Sequence, residues 1–181
     1  MSADARTALA RRIFETAHIT GEFTLRSGAK STEYFDKYLF ESNPQLLREI
    51  AQALVPLVPP GIDALAGLEM GGIPIATLLS QFTGLPVLFV RKKAKDYGTC
   101  KISEGGQVRG RKLLIVEDVV TSGGAILDAA KALVAEGAHL SDVICVIDRE
   151  SGGGANLATA QLVLKPLFTM TELKQAGAKS A

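Results

Sequence analysis

The sequence predicts an α/β protein in which a central, mostly parallel sheet is flanked by helices. Three observations predict it. Short apolar runs recur at about residues 64–67, 87–90, 113–116 and 143–147, the continuous pattern of strands buried on both faces. Stretches with apolar residues at helical spacing lie between them, at about 73–82 and 124–136. The chain has 181 residues, 47% hydrophobic and 22% charged, which suits one domain (1–181) with a sizeable core. Alternation of strands and helices in such a chain gives an open sheet wrapped by helices.

The elements follow in order. Leu9, Ile13, Phe14 and Ala17 recur at helical spacing and predict an amphipathic first helix. Phe23, Leu25, Tyr34, Phe35 and Tyr38 surround the turn Ser27-Gly28-Ala29-Lys30, a hairpin pattern. Asn43 as N-cap and Pro44 at the first helical position open a helix carrying Leu47, Ile50, Ala51 and Leu54, which stops near Pro56. Gly137 ends the helix at about 124–136. Residues 162–168 are a further strand candidate weakened by Pro166, because proline removes a ladder donor. Residues 92–111 show no period. A loop of that length in a compact domain is either a misassigned segment or a working lid.

Bulk charge excludes some functions. The formal net charge is +1, so no global field recruits nucleic acid or membrane. No apolar run approaches a membrane span, and the segment beginning at Met1 lacks a signal-peptide core, so a cytoplasmic protein is expected. Cys100 lies in a basic segment and Cys145 in an apolar strand, which suits neither a disulfide framework nor a metal knuckle. Cys145 is expected in the core, and His18 and His139 are expected to be structural.

The stretch LLIVEDVVTSGGA (residues 113–125) holds the main chemical signal. A buried strand ends in Glu117 and Asp118, and a Thr/Ser/Gly turn then opens a helix. Free backbone N–H groups and the helix dipole at such a turn attract an anion, so two carboxylates beside it need a reason. A sugar phosphate supplies one: its hydroxyls donate to the acids while its phosphate sits on the turn. The acids alone are equally compatible with capping the next helix. Residues 91–112 add a second signal, with eight basic residues (Arg91, Lys92, Lys93, Lys95, Lys101, Arg109, Arg111, Lys112) against Asp96 and Glu104, a local +6. A solvated basic face and a clamp for a polyanion both fit that charge. Nucleic-acid binding fits poorly, since only Tyr97 is interleaved as a stacking platform.

VEDVVTSGGA closely resembles the phosphoribosyl-pyrophosphate (PRPP) motif of type I phosphoribosyltransferases. GEFTLRSGAKSTEYF (residues 21–35), RKKAKDYG (91–98) and DRESGGG (148–154) narrow the resemblance to the orotate phosphoribosyltransferase family, over nearly the whole chain. The resemblance implies the type I phosphoribosyltransferase fold, with a small N-terminal hood (about 1–40) and a long mobile lid (about 92–111). It implies transfer of the 5-phosphoribosyl group from PRPP to orotate, giving orotidine 5′-monophosphate and pyrophosphate in pyrimidine synthesis. By this resemblance PRPP is bound by Arg26, Gly71, Gly72, Arg91, Lys92, Lys95, Tyr97, Glu117, Asp118, Val119, Val120, Thr121, Ser122, Gly123, Gly124 and Ala125. Orotate is expected at Tyr34, Phe35, Thr121 and Arg149, and Lys95, Lys92 and Asp118 are the expected catalytic groups. Mg²⁺ is the implied cofactor, bound mainly through PRPP, with Asp118 the candidate protein ligand. The family's lid usually serves the neighbouring subunit, which implies a homodimer.

Two departures stand out. Many family members carry His where this chain has Tyr97, and Lys where it has Gly71, which removes a titratable group and a cation from the expected site. Two other readings share the motif: a phosphoribosyltransferase for another base, and a PRPP-sensing regulator without turnover.

Overall fold

The structure, a computed structural model, describes residues 1–24, 28–93 and 101–178. Helix α1 (Ala3–Ala17) begins at Ser2, whose side chain accepts from the Ala5 N–H, and buries Leu9, Ala10, Ile13 and Ala17. Strands β1 (His18–Thr24) and β2 (Lys30–Phe35) form the expected antiparallel hairpin, with a register shift between Thr20 and Phe23. Helix α2 (Lys37–Ser42) was not apparent in the sequence because six residues are too few to show a period. It is set by Asp36, whose Oδ1 accepts from the Tyr38 N–H at 3.1 Å, and by the fully buried Phe40. Burying a side chain of that size contributes about 1.5–3 kcal/mol. Helix α3 (Pro44–Leu54) has the expected Asn43 cap, with Oδ1 accepting from the N–H groups of Gln45 and Leu46.

The central sheet contains six strands in the order β5-β4-β3-β6-β7-β8, parallel except for β5. They are β3 (Ala64–Leu68), β4 (Val87–Val90), β5 (Ser103–Glu104), β6 (Lys112–Val120), β7 (His139–Asp148) and β8 (Val163–Thr169). Helices α4 (Gly72–Thr83), α5 (Gly124–Ala135), α6 (Gly153–Thr159) and α7 (Met170–Ala178) complete the chain. One buried cluster joins α1, α3, α4 and α7 to Leu65, Leu114, Val116 and Ile144. The other joins α5 to Ala64, Ala66, Leu113, Ile115 and Val143. Cys145 lies fully buried in the second cluster, as expected, and burial raises its thiol pKa well above the ordinary value. Pro166 is accommodated because β8 is an edge strand, where the missing N–H breaks no ladder.

Gly137, at φ 93°, ends α5 in a Schellman arrangement: its N–H donates to Val134 and that of Ala138 to Leu133. Among the described residues no helix is long and apolar enough to cross a membrane.

Two expectations are corrected. First, β6 runs four residues beyond the apolar run, with Glu117 paired to Cys145 and Val120 to Asp148. Glu117, Asp118, Val119 and Val120 are therefore strand residues, and the turn begins at Thr121. Second, the segment from 101 onward is not structureless. Ser103–Glu104 pairs antiparallel with β4, the Arg91 N–H donates to Ile102, and Ile102 and Val108 are buried against the sheet. Two isolated apolar residues give no period, yet they suffice to cover a sheet edge.

Candidate active site

The carboxyl ends of β3, β6 and β7 meet at one end of the sheet, where ligands of open α/β folds sit. Three short loops converge there. The first, Glu69-Met70-Gly71, leads from β3 into α4. It lies directly on β6: a Cβ at Gly72 would come within 2.3 Å of the Val116 carbonyl oxygen, and one at Gly71 within 1.7 Å of Asp118 Oδ2. No side chain caps α4; the Ile73 N–H donates to the Met70 carbonyl at 3.3 Å, and Pro74 has no N–H.

The second loop, Thr121–Gly123, leads from β6 into α5. Gly123 adopts φ 78°, which favours glycine, and again no side chain caps the helix. Thr121, Ser122, Gly124 and Ala125 are exposed. Helix α6 braces this turn from behind. Asn156 Nδ2 donates to the Ser122 carbonyl at 3.0 Å, and a Cβ at Gly153 would lie 2.6 Å from Val120 Cγ1. An uncapped helix start on a braced turn is built to receive a phosphate.

The two acids have different neighbours. Glu117 is half-buried beside Leu68, Glu69, Arg91, Lys92 and the start of α5. Burial, and then the charge of Asp118, push its pKa well above the carboxylate range. Asp118 is fully buried, with Val119 N–H donating to its Oδ1 at 2.5 Å, and forms an ion pair with Lys37 from α2. Glu41, one turn further along α2, lies 8% exposed against the same carboxylate, with Oε1 lacking an aligned hydrogen-bond partner. Burial, reinforced by Asp118, raises Glu41 to about 8. Burial alone would raise Asp118 too, but contacts with Glu117, Glu41 and Lys37 hold it below its ordinary value. Asp118 thus holds the negative charge most readily, while its two acidic neighbours are pushed towards their neutral forms.

The third loop follows β7. The Arg149 N–H donates to the Val120 carbonyl at 2.8 Å, which fixes it beside the phosphate turn. Glu150, at φ 58°, accepts from both the N–H and hydroxyl of Thr171, so the loop is tied to α7. Arg149 lines a cavity of about 260 Å³ with Tyr34, Phe35, Phe14, His18 and Lys174. His18 stacks on Phe14 with ring centroids 4.7 Å apart and pairs with Glu33 at 2.8 Å, consistent with a structural role.

The fold therefore brings together Tyr34, Phe35, Gly71, Gly72, Arg91, Lys92, the residues from Glu117 to Ala125, and Arg149. Thr121 is on the adjoining turn and is not part of the lining of the Arg149 cavity. Arg26, Lys95, Tyr97 and Cys100 lie outside the described residues. The basic cluster divides. Lys92 N–H donates to Glu69 Oε1 at 2.6 Å, near the site. The Arg111 guanidinium instead donates to the Asp63 carbonyl and the Lys112 backbone N–H to the Asp63 carboxylate at the amino end of β6, and Arg109 packs against Gly137, so these three stand at the wrong end of the sheet to clamp a ligand at the carboxyl end. Sequence reading missed Lys37, Glu41 and Asn156. The first two carried no motif, while Asn156 lies two residues beyond the end of DRESGGG, where its position was a usable signal.

With this geometry in view, comparison with known proteins is specific. Residues 40–172 match the phosphoribosyl transferase domain. The chain is 52% identical over 181 residues to an orotate phosphoribosyltransferase of a Nocardioides species, covering 98% of this chain and 100% of that one. It is 43% identical over 153 residues to the orotate phosphoribosyltransferase of Methanocella arvoryzae, covering 84% and 87% respectively. A solved orotate phosphoribosyltransferase from Aeropyrum pernix matches with TM-score 0.81 and 27% identity, over 94% of this chain and 98% of that one. The chain belongs to the phosphoribosyltransferase family of α/β enzymes, and within it to the orotate phosphoribosyltransferases.

Two predictions follow from the packing at Asp118. Gly71→Ala must displace a buried carboxylate or the loop, and such overpacking costs about 1–3 kcal/mol. Thermal unfolding should register the loss, and an unchanged melting temperature would show that Asp118 is not held against the loop. Glu41 is neutral in the folded protein up to about pH 8 but ionises near its ordinary pKa of 4.5 when unfolded. Between those values the folded state binds the extra proton, so stability falls as pH rises. Glu41→Gln should therefore gain in melting temperature over the unaltered protein at pH 8, with the difference shrinking towards pH 5. A constant difference across that range would remove Glu41 as the titrating group.

Proposed function

We propose that this chain carries PRPP across the carboxyl end of its sheet and transfers the phosphoribosyl group to orotate, releasing pyrophosphate. The observation that supports it best is the Arg149 hydrogen bond to Val120, which sets a cavity lined by aromatic rings together with Glu33, Arg149 and Lys174 directly beside the phosphate turn.

In this reading the 5′-phosphate rests on the N–H groups and hydroxyls from Thr121 to Ala125, above the uncapped start of α5. Asp118, kept ionised, accepts from ribose hydroxyls, and Glu117 lies on the other side of the sugar. Pyrophosphate lies over Gly71 and Gly72, with Arg91 and Lys92 approaching from the β4 side. Lys95, Tyr97 and Arg26, assigned by resemblance, complete the PRPP contacts. Orotate enters against Tyr34 and Phe35, and the Arg149 guanidinium takes its carboxylate as a planar, charge-assisted fork. The bond from ribose C1 to pyrophosphate loosens, and an orotate nitrogen attacks C1, its proton passing to the departing pyrophosphate or to solvent. Little proton chemistry is required. The chain's work is to hold the two substrates in line, to stabilise charge accumulating on pyrophosphate through Lys92 and Lys95, and to exclude water.

Mg²⁺ fits this site as a passenger of the substrate. Among the described residues no group of three or more His, Cys, Asp or Glu side chains could hold a metal, and Asp118 is engaged by Lys37. Its ligands would be mainly ribose and pyrophosphate oxygens, with Asp118 the adjacent carboxylate, and when bound it offsets the pyrophosphate charge. A lid acting on a neighbouring site would require a two-fold homodimer. The cytoplasmic setting expected from the sequence belongs to the same proposal.

Purified protein with PRPP and Mg²⁺ should consume orotate and leave adenine, hypoxanthine and uracil unchanged; comparable turnover of a purine would sink the orotate assignment. Arg149→Ala should weaken orotate far more than PRPP, by roughly 2–4 kcal/mol for a charge-assisted pair lost from a desolvated site.

The homodimer is tested by complementation. Mixing Lys95→Ala subunits with Asp118→Asn subunits should restore part of the activity, because one site of the mixed dimer then has both groups intact. No recovery, with subunit exchange shown independently, would mean that each lid serves its own subunit.

A further inference from the structure

We propose that Lys37 is a pyrophosphate-binding residue of this site, the cation on the β6 side of the β3–α4 loop, held on Asp118 until PRPP arrives. The inference rests on the PRPP reading above and adds a residue to it.

The loop has no cation of its own. Gly71 is the position facing β6, and a Cβ there would come within 1.7 Å of Asp118 Oδ2 and 2.8 Å of Glu41 Oε1, so a side chain there would have to displace them. Arg91 and Lys92 stand on one side only, beside Glu69 and Glu117. A bound pyrophosphate carries several negative charges and would leave the Asp118 side uncompensated, next to a buried carboxylate. Lys37 occupies that side. Its amine pairs with Asp118 and lies 5.2 Å from the Tyr38 ring centroid, while its side chain remains 32% exposed.

Helix α2 fixes the placement. The Asp36 cap, the buried Phe40 and Glu41 hold Lys37 one residue into the helix, pointing at the end of β6. An ammonium carries three donors, so it can keep one on Asp118 and direct the others at phosphate oxygens. As ribose hydroxyls donate to Asp118, the carboxylate needs Lys37 less, and the cation is free to turn to the leaving group. Lys37 differs from a purely structural partner of Asp118 in one respect: a structural partner would matter equally for every ligand that touches Asp118.

Calorimetric titrations with PRPP, pyrophosphate and orotidine 5′-monophosphate, each with Mg²⁺, separate the two roles. Lys37→Gln and Lys37→Met should weaken pyrophosphate and PRPP by about tenfold or more, as for a lost charged contact, and change orotidine 5′-monophosphate less than threefold. Lys37→Arg should retain most of the affinity. Two variants are used because Met removes the donor that faces Asp118 Oδ2, whereas Gln keeps one; melting temperatures check both. Equal losses for all three ligands would overturn the proposal in favour of a positioning role, and unchanged pyrophosphate affinity in a folded variant would overturn it outright. Failure of the unaltered protein to bind PRPP would bring down the site reading and this proposal together, and it is distinguished by appearing before any substitution is made.

Discussion

The structure turns on the contact between the start of α4 and strand β6. Gly67, Gly71 and Gly72 carry no side chains where a Cβ would strike Ala76, Asp118 and the Val116 carbonyl respectively. Because nothing intervenes, the β3–α4 loop lies on the end of β6, and its uncapped helix start comes beside that of α5. Two helix starts at the ends of neighbouring strands can then address two phosphates of one ligand. A larger residue at any of the three would have to displace one of these neighbours, so glycine serves proximity here rather than backbone freedom.

The same closeness explains how a buried aspartate survives beside two anion sites. A carboxylate taken from water is costly unless paired. Asp118 has Lys37 at one oxygen and the Val119 N–H at the other, while Glu41 and Glu117 are pushed towards their neutral forms. Concentrating the charge on one acid keeps a strong acceptor in place without stacking three negative charges beneath a polyanion. On the opposite side Glu69 holds the Lys92 N–H, so the pyrophosphate loop and the chain leading towards the expected lid are mechanically joined.

Base recognition depends on the far end of the chain. Thr169 and Glu172 form a capping box at the start of α7, the Thr169 N–H donating to Glu172 and Glu172 N–H to the Thr169 hydroxyl. Glu172 also accepts from Arg6 of α1, and that pairing holds its pKa below the ordinary value. Through Glu150 the Arg149 loop hangs on this helix, and through Arg6 the helix is tied to the N-terminal layer that carries Tyr34 and Phe35. Residues more than a hundred positions apart therefore form the walls of one cavity.

Local chemistry in the sequence determined the parts that repeat or that need special residues. Runs of apolar residues gave the main parallel strands, Asn43-Pro44 and Gly137 gave helix ends, and the acids followed by Thr121-Ser122-Gly123-Gly124 gave the phosphate turn, because each depends on neighbours a few positions away. Helices α2 and α6 were not legible, being too short for a period, and β5 was hidden because its partner strand, not its own composition, makes it a strand. Only tertiary structure decided where charges go. It sent Arg109, Arg111 and Lys112 to the wrong end of the sheet for a clamp, although their spacing from Arg91 and Lys92 is unremarkable. It also brought Lys37 and Glu41 to Asp118 across some eighty positions. Coulomb interaction falls with distance in space and is blind to distance along the chain, so that partnership had no sequence signal.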